Sequence, residues 1–282
     1  MATSTSVIDL SQLPAPTVVE ALDYETIRAE LIADVQELLP TWDAAVESDP
    51  AVKVLEVAAY RELLIRQQFN DRAKQCLLAY ARDGNLDHLG ALLGVARLPG
   101  ELDEPYRYRI QLAPDAFSVA GPESAYEYHA LSADSTIADA KVTSPSPGVV
   151  LVSILSKTGD GAASADQIAN VEAALAGARP LTDQVIVRSA TIVPYTITAA
   201  ITLFDGPDGD VVIAAALAGA QAYVAAARRI GRDINRASIF AAIGVAGVSN
   251  VALASPAADM PMDDTQCGHC LAINLTVAGR GE

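Results

Sequence analysis

Residues 48–97 read SDPAVKVLEVAAYRELLIRQQFNDRAKQCLLAYARDGNLDHLGALLGVAR, and the fold turns on this stretch. Asp49 followed by Pro50 marks a helix start, because the carboxylate can accept from free N–H groups and proline suits the first helical position. No further proline or glycine occurs until Gly84, which stands where a left-handed residue would close the helix. The spacing predicts a helix of roughly thirty residues or slightly more, about 50 Å long and longer than most single domains bury. Val54, Ala58, Ile65, Phe69, Ala73, Cys76 and Tyr80 form one stripe. Val52, Leu55, Val57, Leu63 and Leu64 make the first half apolar almost all round, whereas the second half shows Arg66, Gln67, Gln68, Asn70, Asp71, Arg72, Lys74 and Gln75 on its other sides. A helix of this kind packs against several neighbours, and the two readings are that some of them belong to another chain or that it is a long core helix of a monomer. Val54, Leu55, Ala58, Leu64, Ile65 and Phe69 are the expected interface residues. Residues 84–90 then turn the chain into a short helix ending near Gly94.

The whole chain has 282 residues, room for two modest domains with a real core. Its net charge of −16, from 19 basic and 35 acidic residues, argues against sequence-independent binding to phosphate backbones. No nucleic acid is expected as a partner. The first basic residue is Arg28 and Asp9 interrupts the early apolar residues, so no secretory leader is expected. Three cysteines indicate no disulfide framework and fit synthesis in a reducing cytoplasm. The apolar stretch 211–227 is at the lower length limit for crossing a bilayer and contains Gly219 and Gln221. It reads as a buried helix of a soluble protein, with no membrane.

In chain order, residues 1–22 read as an extended arm with an apolar patch at Val7, Ile8, Leu10 and Leu13. Residues 23–136 read as a helical domain. Asp23 caps a helix from Tyr24 to about Leu39, with Ile27, Leu31, Val35 and Leu38 on one face, and Trp42 anchors the following turn to the long helix. A helix opens at Pro105 and is interrupted by Pro114; another spans 123–131. From 137 the periodicity changes. Residues 137–192 read as a first α+β unit: strands at 138–142 and 149–155, a helix at 164–178 and a strand at 184–188. Residues 193–282 read as a second: a strand at 195–204, helices at 211–229 and from Asp233 or Asn235 to Ile243, and strands at 248–253 and 271–277. The fold class is α+β, an N-terminal helical region followed by two small sandwich-like units of mostly antiparallel sheet with helices on one face.

Little in the residues describes an enzyme. Cys267-Gly268-His269-Cys270 has the letters of a thiol–disulfide centre, but an alternating strand follows at once, where that chemistry needs a helix N-terminus under the first cysteine. The four residues read as a solvated loop. A zinc site would need further ligands, and Cys76, His88 and His129 are far away in sequence. Arg228, Arg229, Arg232 and Arg236 form the basic cluster, read as compensating a helix C-terminal dipole or as a surface for an acidic partner. Asp103, Glu104, Arg107 and Arg109 read as local ion pairs, and Asp263 and Asp264 as loop carboxylates with no base near them. No phosphate loop, dinucleotide fingerprint, metalloprotease helix or nucleophile elbow is present. Catalytic, cofactor-binding and metal residues are all expected to be none.

Residues 49–97 resemble the baseplate J family of contractile-tailed phages. The resemblance continues through DEPYRYRIQLAP at 103–114, GPESAY at 121–126, VTSP at 142–145, RPLTD at 179–183, IVPY at 192–195, GRD at 231–233 and ASPAAD at 254–259. It implies a structural baseplate wedge protein in the virion tail, assembled in the host cytoplasm. It also implies that the long helices of two copies bundle with the tail protein I, and that a lysozyme-like wedge protein is a further neighbour. Neighbouring wedges would join through the C-terminal domains into a ring around the central hub and rearrange on contraction. The equivalent part of a headless contractile device, a bacteriocin or secretion baseplate, is the nearest alternative; a thiol–disulfide oxidoreductase is the distant one. The charge balance predicts that micromolar protein leaves duplex DNA unretarded in a gel at physiological salt. A salt-sensitive shift would contradict it.

Overall fold

The computed structural model describes residues 8–14, 16, 22–43, 46, 48–118, 121–206 and 208–281. They fall into two compact units, divided between Arg97 and Leu98.

The first unit is helical. Asp9 caps a 3-10 turn at Leu10–Gln12, and the Leu13 carbonyl accepts from the Tyr80 hydroxyl at 3.4 Å. Of the expected apolar patch, Ile8 and Leu13 are exposed, and Val7 lies outside the described residues. Helix α1 (Tyr24–Leu38) starts where Asp23 accepts from the Glu25 N–H. Ile27 is its buried anchor, Leu31 and Val35 are half-buried, and Leu38 is exposed. Helix α2 (Pro50–Lys74) is capped by Asp49, and the Trp42 indole donates to the same carboxylate at 3.1 Å. The turn is thereby tied to the helix start.

α2 is shorter than the sequence suggests: it has 25 residues and does not run to Gly84. The cause is Gln75. Its amide donates to the Tyr80 carbonyl at 3.1 Å and accepts from the Arg82 N–H at 3.0 Å, so one side chain takes up backbone groups of the following turns. Tight turns from Cys76 to Ala81 follow, and Asp83, not Gly84, is left-handed, with φ 47°. Helix α3 (Asp83–Ala91) begins there, and Gly94, with φ 70°, ends its last turn.

The second unit begins with α4 (Asp103–Ala116) and α5 (Glu123–Ala133), which group with the sheets rather than with α1–α3. Pro114 lies inside α4 and does not interrupt it. It stands in the last turn, where a missing N–H costs one bond, and the buried Tyr106, Ile110, Leu112 and Ala113 hold the helix. Strands β1 (Ile137–Ser146) and β2 (Val149–Ser156) form a hairpin turned by Gly148, φ 79°. Helix α6 (Ala165–Ala178), opened by a Ser164–Gln167 capping box, crosses over to β3 (Gln184–Ser189), which pairs parallel to β2.

The second sheet has β4 (Thr191–Leu203) at its centre, with β5 (Val248–Ser255) antiparallel on one side and β6 (Gln266–Arg280) parallel on the other. Each sheet therefore has one antiparallel and one parallel pair, and is evenly mixed rather than mostly antiparallel. Tyr195, Ile197, Ala199, Ile201 and Leu203 alternate into a core closed by helices α7 (Gly209–Ala227) and α8 (Arg236–Ile243). α7 is long and apolar enough for a membrane span by composition alone. It is not wholly buried: Val212, Ala216, Ala220 and Ala227 enter the core, while Val211, Ala214, Ala215, Ala218, Ala222 and Ala225 stay exposed. α8 lacks a side-chain cap from Asn235; the Asp259 carboxylate accepts from the Arg236 N–H at 2.7 Å instead.

α7 and α8 meet at Gly219, where an added Cβ would run into the Ala242 carbonyl oxygen. Gly219→Ala should therefore destabilise the fold by about 1–3 kcal/mol despite alanine's better helix propensity. Denaturant unfolding measures this, and an unchanged or raised midpoint would contradict it.

Candidate assembly interface

α2 buries one side against α1. Val52 and Ala59 are fully buried, and Arg28 of α1 reaches Glu56 at 3.5 Å, with Lys53 also on Glu56 at 2.9 Å. The Lys53 ammonium, as hydrogen-bond donor and charge, holds the Glu56 carboxyl below its usual range. Among the described residues the opposite side has no such cover within this unit. Val54 is 67% exposed, Ile65 66% and Phe69 58%; Ala58, Val57 and Tyr60 are exposed too. Leu55 and Leu64 are half-buried on the flanks. Lys53, Glu56, Val57, Tyr60, Arg61 and Leu64 line a shallow groove along the same helix. All six expected interface residues thus lie on one helix, four on its open side and two beside it. Covering that face would remove apolar surface from water, with about 1.5–3 kcal/mol for each large side chain fully covered.

Several chemistry-bearing residues of the second unit are spent internally. Arg109 donates to both carboxylate oxygens of buried Glu101, at 2.7 and 2.6 Å, and stacks over Tyr106. Arg107 pairs with Glu104 at 3.3 Å. Of the arginine cluster, Arg228 donates to the Gly159 carbonyl at 3.0 Å, and Arg236 donates to the Leu253 carbonyl at 3.2 Å and to the Pro256 carbonyl. Asp263 accepts from the Thr265 N–H and hydroxyl, and Arg188 lines the same groove as Asp263 and Asp264, so these carboxylates do have a base near them.

Cys267 and Cys270 lie in β6, not in a solvated loop. β4 extends back to Thr191, and its full length recruits β6 from Gln266 onward, pairing Ile192 with Cys267 and Tyr195 with Cys270. Cys267 is fully buried in a cluster with Leu155, Ala190, Ile192 and Ile230. Burial pushes its thiol up to about 11 and raises that of Cys270, the reverse of what a reactive thiolate needs. The same cluster joins the two sheets, helped by Asp139, whose carboxylate accepts from the Ile230 N–H at 2.9 Å. Burial raises the pKa of Asp139. Among the described residues no group of three or more His, Cys, Asp or Glu is placed to hold a metal ion.

Models of three baseplate J-like domains match the chain: the N-terminal domain at residues 47–99, the central domain at 118–189 and the C-terminal domain at 195–276. Baseplate protein J of Escherichia phage P2 is 43% identical, over 98% of this chain and 99% of that protein. The chain belongs to the baseplate J-like family. In baseplate J-like terms the N-terminal match holds α2 and α3, the central match α5 to β3, and the C-terminal match most of β4 to β6. A chain in the cryo-EM structure of the anti-feeding prophage baseplate aligns with a TM-score of 0.42 and 16% identity, over 62% of this chain and 43% of that one.

Sequence reasoning missed Glu101, Glu127 and Asp139. Glu101 stands just before the aromatic and arginine residues of 103–114, whereas Glu127 and Asp139 come near them only in the fold. Glu127 is buried beside the Tyr108 hydroxyl, 3.5 Å away. Burial pushes its carboxyl up to about 7, with Asp139 and Glu123 adding to the shift and Lys141 opposing it. The unfolded chain ionises this group near 4.5 and the folded one near 7, so its contribution to stability is full at low pH and is lost as pH rises through 7. Glu127→Gln should therefore gain about 1–3 kcal/mol relative to wild type at high pH, and much less at low pH. Urea unfolding at acidic and alkaline pH tests this; an equal effect at both would contradict it.

Proposed function

We propose that this baseplate J-like chain is a structural wedge subunit of a contractile tail. It would build the ring around the central hub and rearrange when the sheath contracts. The observation that carries the reading is the 43% identity to a baseplate protein over essentially the whole of both chains. The open apolar side of α2 supports it, because an exposed run of Val54, Val57, Ile65 and Phe69 is what a bundling helix presents before its partners arrive. The reading is non-catalytic: raised thiol pKa values and internally paired arginines fit a scaffold.

In this reading α2 packs with α2 of a second copy and with the tail protein I, through Val54, Leu55, Ala58, Leu64, Ile65 and Phe69. A lysozyme-like wedge protein and the neighbouring wedges are further partners. The chain is made in the host cytoplasm and ends in the virion tail baseplate. Nucleic acid and membrane take no part.

Leu55→Asp with Leu64→Asp should abolish co-purification with co-expressed tail protein I, while circular dichroism and limited proteolysis show the residues after 137 still folded. Binding of the double variant with unchanged affinity would overturn the assignment of α2.

A further inference from the structure

β6 is an edge strand. Between Leu271 and Gly279 its outer side has no hydrogen-bonded neighbour among the described residues. Bare edges are normally guarded by lysine, proline, inward charges or a covering element. Over 272–277, among the described residues, β6 has none of these, and the bulges that can also twist an edge away lie outside that run: Ile273, Leu275 and Val277 alternate with Ala272, Asn274 and Thr276, without a charge. Leu271 is 63% exposed and Val277 43%. Register shifts opposite Tyr195/Thr196 and Ile201/Thr202 leave Leu271 and Ala278 as extra residues, so a regular run of 272–277 stands between two bulges.

That run is complementary to itself. Antiparallel pairing about Leu275 sets Ile273 against Val277 on the core side and Asn274 against Thr276 on the solvent side. A shift by one residue would turn the second copy over and put its helices on the opposite face.

The helix above the edge fits the same symmetry. α7 packs on β6 and runs against it: Gly209 lies beside Arg280, and Ile230, just past the helix, bridges to Cys267. A two-fold axis at Leu275 therefore sets two α7 helices side by side and antiparallel. The exposed side of α7 is mostly alanine, which lets helices approach closely. Its start carries exposed Asp205, Asp208 and Asp210, and the chain just beyond its end carries exposed Arg229 and Arg232. The two-fold brings the acidic end of each copy to the basic end of the other, with opposed helix dipoles.

We propose that β6 pairs antiparallel with β6 of a second copy, joining the two three-stranded sheets into one of six strands beneath a pair of α7 helices. The proposal rests on the reading of this chain as a structural protein present in several copies, and it uses a surface separate from α2.

Hydrogen exchange on the full-length chain, dilute and concentrated, tests it alongside sedimentation. Protection of amides in 271–279 should rise with concentration, together with a dimer. Asn274→Lys with Thr276→Lys changes two exposed side chains, sets lysine against lysine across the axis, and should weaken that dimer at least about tenfold. Asp210→Arg should also weaken it, and adding Arg232→Asp to the same chain should restore it. Leu55→Asp with Leu64→Asp should leave protection of 271–279 unchanged, so failure of the α2 assignment and failure of this one read out separately. Protection that does not depend on concentration in wild type, or that survives the lysine pair, overturns the proposal.

Discussion

β4 is the strand to which much of the second unit is committed. Both of its edges are paired, with β5 from Thr198 to Leu203 and with β6 from Thr191 to Leu203. One of its faces, Tyr195 to Leu203 by twos, is buried under α7 and α8. A strand held on three sides cannot slip by one residue without sending five apolar side chains to the wrong face. The close fit of Gly219 to α8, the depth of Cys267 and the exposed edge of β6 all follow from where β4 places its neighbours. The N-terminal unit has no equivalent. Among the described residues its long helix packs chiefly on α1 and leaves Val54, Ile65 and Phe69 exposed on the other side.

Most of the elements were legible because their signals are local. Ser164 with Gln167, Asp23, Asp49 before Pro50, and the glycine after Ser146-Pro147 each announce a boundary within four residues. What stayed illegible depends on partners distant in sequence. Gln75 looks like another polar residue on a helix flank, and nothing nearby says that its amide will take the backbone of Tyr80 and Arg82. The start of β6 was hidden for the same reason: Gln266 to Cys270 lacks alternation, and only the length of β4 requires it to be strand. The six apolar residues of α2 were legible as a face, since helical spacing is enough to find one, whereas Glu101, Glu127 and Asp139 needed the packed unit to be seen.

The raised carboxyl groups carry a further lesson about scaffolds. Glu127 and Asp139 have the shifted pKa values that often mark catalytic groups, yet one is shut against a tyrosine and the other spends its oxygens on backbone N–H groups. Burial alone accounts for the leading part of both shifts, and it follows from packing α5 between α4 and the first sheet.

β3 ends at Ser189 and β4 begins at Thr191, so a single residue, Ala190, passes the chain from one sheet to the other. Tension applied to one sheet therefore reaches the next through a single residue of backbone. Ladders pulled lengthwise share the load over many bonds at once, whereas ladders peeled from one end lose them singly. With thirteen β4 residues paired to β6 across two bulges, the joint is built to transmit a sudden tug as a stiff tie rather than to absorb it as a spring.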